Sequence, residues 1–217
     1  MSAIRTGLVR QLDTLSAPAL RALVEGGVVT VIVPFGSIEH QGGHLPIGAD
    51  TILAQAVGRE VAKRLDAMLA PAVCVGCADQ HADLPGTLTL RAGTLTAIAV
   101  DHAQSLARQG FQLVVLLSTH GGNRSALDAA VTELGQSLAG AVACAPQGDP
   151  GPDPGRHSGA WLTSVMLALR PDLVDLDRAA PELRVELQTA SPERGHQALE
   201  RFTASIAACV RRMNTFR

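Results

Sequence analysis

Residues 33–50 place four potential metal ligands in one glycine-containing loop. The apolar run before it, Val28 to Pro34, has the length and composition of a buried parallel strand. The loop then supplies two carboxylates and two imidazoles, Glu39, His40, His44 and Asp50. Such groups just beyond a strand end are suitable ligands for a divalent metal ion, and glycines permit the turns that would bring them together. The alternative is a polar surface loop in which Asp50 only caps the next helix.

Two more histidines lie in polar segments that follow apolar runs. His81 is in the segment 77–86, and His120 is in the segment STHGGN, which directly follows the run LVVLL. An imidazole titrates near neutral pH, so His81 is suited to substrate contact or proton transfer. The simpler interpretations are a turn or capping histidine for His81 and a histidine hydrogen-bonded to the backbone for His120.

The order of the predicted elements indicates the fold. Strands are predicted over 28–34, 70–75, 112–117 and 141–145. Helices are predicted between Ser16 and Gly26 and over 51–65, 94–108, 125–138, 159–169 and 197–213. This alternation predicts an α/β fold of three layers, with a mostly parallel sheet between helices. Ligands of such sheets bind beyond the carboxyl ends of the strands, where the loops 36–50, 77–86 and 118–123 are expected to meet.

The length, charge and composition of the chain limit the classes of partner it can bind. The chain has 217 residues, which suits a single domain over 1–217, and its formal net charge is -2 with no excess of Lys or Arg. Neither nucleic acid nor a membrane surface is therefore an expected partner. Cys74 and Cys77 have no second pair at zinc-ribbon spacing, which favours reduced thiols in a cytoplasmic protein. No charged-then-apolar leader and no apolar run of membrane-spanning length is present.

The motifs resemble those of the creatininase (creatinine amidohydrolase) family. The first motif has a Gly-Ser, a Glu, two histidines, Leu-Pro and an Asp, and here these positions read Gly36-Ser37, Glu39, Gln41, His44, Leu45-Pro46 and Asp50. A second match is His81 with the following Pro-Gly-Thr. A third is the segment STHGGN over 118–123, where the family has Asn-Gly-His-Gly-Gly-Asn. The segment that begins at His157 and the tail SPERG extend the resemblance over residues 28 to about 200.

The resemblance implies two divalent metal ions in one site. Glu39, Asp50 and His120 match the implied ligands of the first ion. The second ion is implied to use the same aspartate, a histidine where this chain has Gln41, and a carboxylate that aligns with Gly122 or Leu162. A glutamine offers only a neutral amide oxygen, so we expect one ion, zinc or manganese with iron as a third option, rather than two. A rebuilt loop that brings in His40 and His44 is the alternative for the second site.

The leading hypothesis is metal-dependent hydrolysis of a non-peptide C–N bond, such as a cyclic amide or a formamide. One ion with three protein ligands can still lower the pKa of a bound water to near neutrality, and His157 with His81 would handle protons. Arg156 stands where creatininase itself has a catalytic Glu, and Trp161 either walls the pocket or belongs to the core.

Two other functions stay open. One is a non-catalytic relative that serves as a binding or assembly scaffold, which Gln41 and Leu162 favour. The other is a peptidase that acts on a modified peptide, as in mycofactocin maturation. The resemblance also implies a small-molecule substrate and a ring-like homo-hexamer.

Overall fold

A parallel sheet lies between two layers of helices. The computed structural model describes residues 9–135, 142–144 and 156–214. In these ranges, five strands pair in the order β1-β3-β2-β4-β5, and every pairing is parallel. The strands are β1 (Arg10–Gln11), β2 (Thr30–Phe35), β3 (Met68–Leu69), β4 (Leu113–Ser118) and β5 (Val142–Cys144). The helices are α1 (Ala17–Glu25), α2 (Ala49–Leu65), α3 (Ala92–Arg108), α4 (Arg124–Leu134), α5 (Ala160–Leu169), α6 (Arg184–Leu187) and α7 (Pro192–Asn214).

The two faces of the sheet have separate apolar cores, because successive side chains of a strand point to opposite faces. Val31, Val33 and Phe35 of β2 pack with buried residues of α3 and α4 and with partly buried residues of α1. Ile32 of the same strand packs with α2, α5 and α7 on the other face. The three-layer α/β/α class predicted from the element order is therefore confirmed.

The predicted elements differ from the structure mainly at the edges of the sheet. The strand predicted over 70–75 is instead Met68–Leu69, and Val73 makes only an isolated bridge to Phe35. Pro71 explains the interruption, since a proline has no N–H to donate to a ladder. The short strand β1 was not predicted, and α7 begins at Pro192, five residues before its predicted start.

Two predicted elements fall partly outside the described residues. These are the helix predicted over 125–138, at its last three residues, and the strand predicted over 141–145, at its first and last residues. In the part of the chain that the structure covers, no helix combines the length and apolar character needed to cross a membrane.

The sheet has a topological switch point between β2 and β4. These strands are neighbours, with Thr30 opposite Leu113 and Phe35 opposite Ser118. The helix that follows β2 packs on one face, and the helix that follows β4 packs on the other. The loops after the two strands therefore diverge and leave a crevice at their carboxyl ends, which is where α/β sheets bind ligands.

Gly36 makes the close approach that starts the first of these loops. A Cβ at this position would lie 2.5 Å from both Cα and Oγ1 of Thr51, near the start of α2. The Thr51 hydroxyl donates hydrogen bonds to the carbonyl oxygens of Ser37 and Cys74. The first turn of α2 is therefore packed directly on the end of β2, which fixes the position of Asp50.

We expect Gly36→Ala to lower the free energy of unfolding by about 1–3 kcal/mol, because the added methyl group has no space. Gly93→Ala is the matched control, since a Cβ there has no neighbour within 4 Å, and it should be neutral or stabilising by up to about 1 kcal/mol. Urea unfolding followed by circular dichroism measures both. Equal stability of the two variants would contradict the close packing at Gly36.

Candidate metal centre

Glu39, Asp50 and His120 converge at the crevice between β2 and β4. They are 1%, 6% and 5% exposed. His120 Nδ1 lies 3.3 Å from Glu39 Oε1 and 3.7 Å from Asp50 Oδ2, and one ligand atom from each residue lies within 4.8 Å of the others. Ligand atoms around a tetrahedral zinc ion are about 3.4 Å apart, given bonds of about 2.0–2.1 Å. The three side chains are therefore spaced to contact one divalent ion.

A carbonyl group fixes the orientation and tautomer of His120. Its Nε2 lies 2.8 Å from the carbonyl oxygen of Cys77, and since a carbonyl can only accept, Nε2 carries the hydrogen. In the neutral ring the lone pair is then on Nδ1, which faces the two carboxylates. Metal-binding histidines usually have such a partner on the other nitrogen, so the residues present fit a metal ion.

The electrostatics of the cluster favour a cation. Burial raises the pKa of Asp50 to about 7, and the charge of Glu39 contributes to that increase. Burial also acts to raise the pKa of Glu39, but the hydrogen bonds of His120 and His81 and the charges of His120 and His157 together outweigh it and lower this pKa to about 2. Burial lowers the pKa of His120, yet both carboxylates raise it above its ordinary value overall. Two buried carboxylates this close stay ionised together only when positive charge lies nearby.

Gln41 is placed between the two carboxylates. Its Nε2 donates to Asp50 Oδ2 at 2.8 Å and to Glu39 Oε1 at 3.2 Å, and its Oε1 accepts a hydrogen bond from the Ser158 hydroxyl at 2.9 Å. The side chain is fully buried. At the position where the family resemblance implies a metal-binding histidine, this chain thus has an N–H group that bonds to the carboxylates itself.

This chain has no carboxylate at either of the two positions that align with the remaining metal-binding carboxylate of the family. A Cβ on Gly122 would overlap the carbonyl oxygen of Cys77 and lie 2.6 Å from His120 Nε2. Leu162 is partly buried and packs against two apolar clusters, one of which contains Leu45 and Met166. Neither position offers a ligand atom to an ion beside Asp50.

A second potential ligand group lies on the other side of Glu39. Among the described residues, two sets of His, Cys, Asp or Glu have ligand atoms within 4.8 Å of one another, and the second set is Glu39, His81 and His157. His81 Nδ1 lies 3.1 Å from Glu39 Oε2, and His157 Nδ1 lies 3.7 Å from Glu39 Oε1. The two imidazole rings pack with their centroids 4.1 Å apart. Burial lowers the pKa of His157, which favours the neutral form of its ring.

His40 and His44 do not belong to either set. The His44 ring is buried, donates from Nδ1 to the carbonyl of Gly42, and accepts from the Thr163 hydroxyl at Nε2. Nδ1 therefore makes a contact within the loop, and Nε2 attaches the loop to α5. The backbone of His40, rather than its ring, contacts the site, because its carbonyl oxygen accepts a hydrogen bond from His157 Nε2.

The structure also locates the other residues singled out in the sequence. Asp50 is the second residue of α2, so Gly48 and not Asp50 is the N-cap. Trp161 packs in the apolar core edge-on to Phe202, with ring centroids 6.4 Å apart. Arg156 lies 3.6 Å from Glu186 in a partly exposed ion pair.

Asn123 joins the three loops around the site, a role that sequence reasoning did not find. Its side-chain N–H group donates to the Gly36 carbonyl and the Ser118 hydroxyl, and its Oδ1 accepts from the backbone N–H of Cys77. Asn123 is fully buried. The available signal was an amide side chain closing the segment STHGGN, because such a side chain can both donate and accept.

The chain is similar to known proteins in sequence and in fold. A family model described as creatinine amidohydrolase matches residues 13–209. A creatinine amidohydrolase from Pseudomonas putida is 30% identical over 239 residues, which covers 88% of this chain and 92% of that protein. A solved structure named "Creatininase Mn" has a TM-score of 0.80 at 28% identity and covers 94% of this chain and 98% of its own.

A second kind of curated relative has a different name. A mycofactocin precursor peptide peptidase from Mycobacterium ulcerans (strain Agy99) is 36% identical over 161 residues, which is 69% of this chain. The match spans 62% of the length of that peptidase, less than two thirds.

We expect Gln41→Leu to destabilise the metal-free protein by about 1–3 kcal/mol, because it leaves buried carboxylate oxygens without a donor. Ser158→Ala is the matched control. It removes one hydroxyl donor to the Gln41 amide and should cost less, about 0.5–1.5 kcal/mol. Urea unfolding in the presence of a chelator measures both changes, and an equal or larger effect of Ser158→Ala would contradict this role of Gln41.

Proposed function

Because the chain belongs to the creatininase family, we propose that it is a metal-dependent hydrolase of a non-peptide C–N bond, such as that of a cyclic amide or a formamide. The family resemblance drawn from the motifs is confirmed. The observation that supports the proposal most is the convergence of Glu39, Asp50 and His120, with His120 Nδ1 facing both carboxylates.

In this proposal, these three residues hold one divalent ion, zinc or manganese. When bound, such an ion supplies a water that is acidic near neutral pH and polarises a carbonyl group. The donor set fits, since imidazole nitrogen and carboxylate oxygen suit both metals. The Gln41 amide holds the two carboxylates in position through its hydrogen bonds. Because it offers no imidazole, only one ion binds on the Asp50 side.

We infer that His157 and His81 move protons at the edge of the site. The side chain of His157 is 35% exposed and that of His81 is 17% exposed, so both lie between the buried ligands and solvent. The neutral ring of His157 can accept a proton at Nδ1, and His81 can pass one along its hydrogen bond to Glu39. Imidazoles in such positions serve as general bases and acids.

A second candidate is a peptidase that acts on a small modified peptide. The relative named mycofactocin precursor peptide peptidase favours it, with higher identity than the Pseudomonas putida enzyme over a shorter match. Exposed apolar side chains on the loops around the site, Ile47, Leu84 and Leu88, would suit contact with a peptide. The same ligands and proton carriers would serve this reaction.

The scaffold function has less support. Leu162 packs in the core as an ordinary apolar residue, but a scaffold would not require Glu39, Asp50 and His120 to have the spacing of metal ligands. A ring-like hexamer follows from the family resemblance alone. A cytoplasmic location is supported by the free thiols of Cys74, Cys77 and Cys209 in the described part of the chain.

The first test is metal content. Protein purified from cells grown with added zinc and manganese should retain about one transition-metal ion per chain, as measured by plasma emission. His120→Ala should weaken retention by more than about 100-fold, since loss of a mere supporting partner already costs about 10–100-fold. His102→Ala changes an exposed histidine on α3 and should retain the wild-type ion. A wild-type protein without stoichiometric metal would overturn the proposal.

The second test separates the candidate functions. The metal-loaded protein is offered cyclic amides, including creatinine, then N-formyl compounds, then short peptides with modified C-termini. Turnover of a cyclic amide or formamide that is lost in His120→Ala and kept in His102→Ala supports the leading proposal. Turnover of peptides alone supports the second candidate, and no turnover by metal-loaded protein favours the scaffold.

A further inference from the structure

We propose that Glu39, His81 and His157 form a second cation site, displaced from the position that the family resemblance implies. In this arrangement the Glu39 carboxylate bridges two ions, one on the Asp50 side and one on the His81 side. The inference rests on the proposed function, because it takes the first ion as bound. The ligand class is a divalent ion that prefers imidazole, such as zinc or cobalt, rather than magnesium or calcium.

The implied family position is closed in this chain. The Gln41 N–H group donates to both carboxylates there, and the backbone at Gly122 has no room for a side chain. Leu162 contributes only carbon atoms. A second ion must therefore find its ligands elsewhere.

Glu39 has the geometry of a bridging carboxylate. Its Oε1 lies 3.3 Å from His120 Nδ1 of the first ligand set and 3.7 Å from His157 Nδ1 of the second, and its Oε2 lies 3.1 Å from His81 Nδ1. The carboxylate is almost fully buried, so neither oxygen is an ordinary solvated surface group. Two ions that share ligands in hydrolases are typically about 3.5–4 Å apart, a separation that the two oxygens of one carboxylate can span.

His157 is oriented in the same way as His120. Its Nε2 donates to the carbonyl oxygen of His40 at 2.6 Å, which leaves the lone pair of the neutral ring on Nδ1, 3.7 Å from Glu39 Oε1. A lone pair that faces a carboxylate oxygen is repelled by it, and a cation between them turns this repulsion into attraction. A backbone carbonyl that holds the far nitrogen is a common partner of a metal-binding histidine.

His81 completes the set from the opposite side. Its ring packs against that of His157 at 4.1 Å between centroids, with Nδ1 directed at Glu39. To bind an ion through Nδ1, the ring only has to carry its hydrogen on Nε2 instead. Such a change of tautomer needs no movement of the backbone.

The two sites should differ in strength and in effect. The first has two carboxylates in a buried position, whereas the second has one shared carboxylate and two imidazoles that lie nearer to solvent, so it should bind more weakly. Its occupation uses the nitrogens that would otherwise move protons. Excess metal should therefore inhibit the activity described above.

The test is a titration of the metal-free protein (residues 1–217) with Co²⁺, followed by visible absorption and by calorimetry. The wild type should bind two ions, the second at least about tenfold more weakly than the first. His157→Ala and His81→Ala should each weaken the second ion by at least about tenfold and leave the first unchanged. Both residues are partly exposed, so the variants should fold. His102→Ala should bind as the wild type does.

The outcomes separate this inference from the proposed function. Binding of one ion that His157→Ala leaves unchanged, or a second ion that survives in both histidine variants, overturns the second site alone. If the protein binds one ion, and His157→Ala loses it while His120→Ala keeps it, the first site is overturned and the second is supported. Binding of no ion overturns both.

Discussion

The site contains two carboxylates buried side by side, and the surrounding residues must compensate their negative charge. Glu39 and Asp50 are nearly inaccessible to solvent, and ionised groups in such a place need compensating donors or cations. The surrounding residues supply them, since His120 and Gln41 face both carboxylates and His81 faces Glu39. The loops that supply these donors follow different strands of the sheet. The contacts of the carboxylate pair therefore connect the loop after β2 with the loop after β4.

Most of the fold could be predicted from the sequence because its determinants are local. Buried parallel strands are continuous apolar runs, and the run over 113–118 was recognisable for that reason. Pro18 near the start of α1 and the glycine after its end marked that helix. The edge strands were harder to predict from the sequence, because β1 has only two residues and Pro71 interrupts the strand pairing just after β3.

The site was predictable to the level of which loops meet, but not to the level of hydrogen bonds. The rule that loops after parallel strands share one edge was enough to group Glu39 with His120. It could not show that Gln41 donates to both carboxylates, since a glutamine in sequence is equally an acceptor. It also could not show which nitrogen of His157 faces the site, because that depends on a carbonyl 117 residues away.

The hydrogen bonds of Asn123 have a consequence for how the site can move. One buried side chain connects the ends of β2 and β4 with the segment before His81, so displacing any one of these loops breaks contacts with the other two. The three segments should accordingly behave as one cooperative unit, whose amide protons exchange with a shared opening free energy. Access for a substrate must then come from the outer rim rather than from these loops.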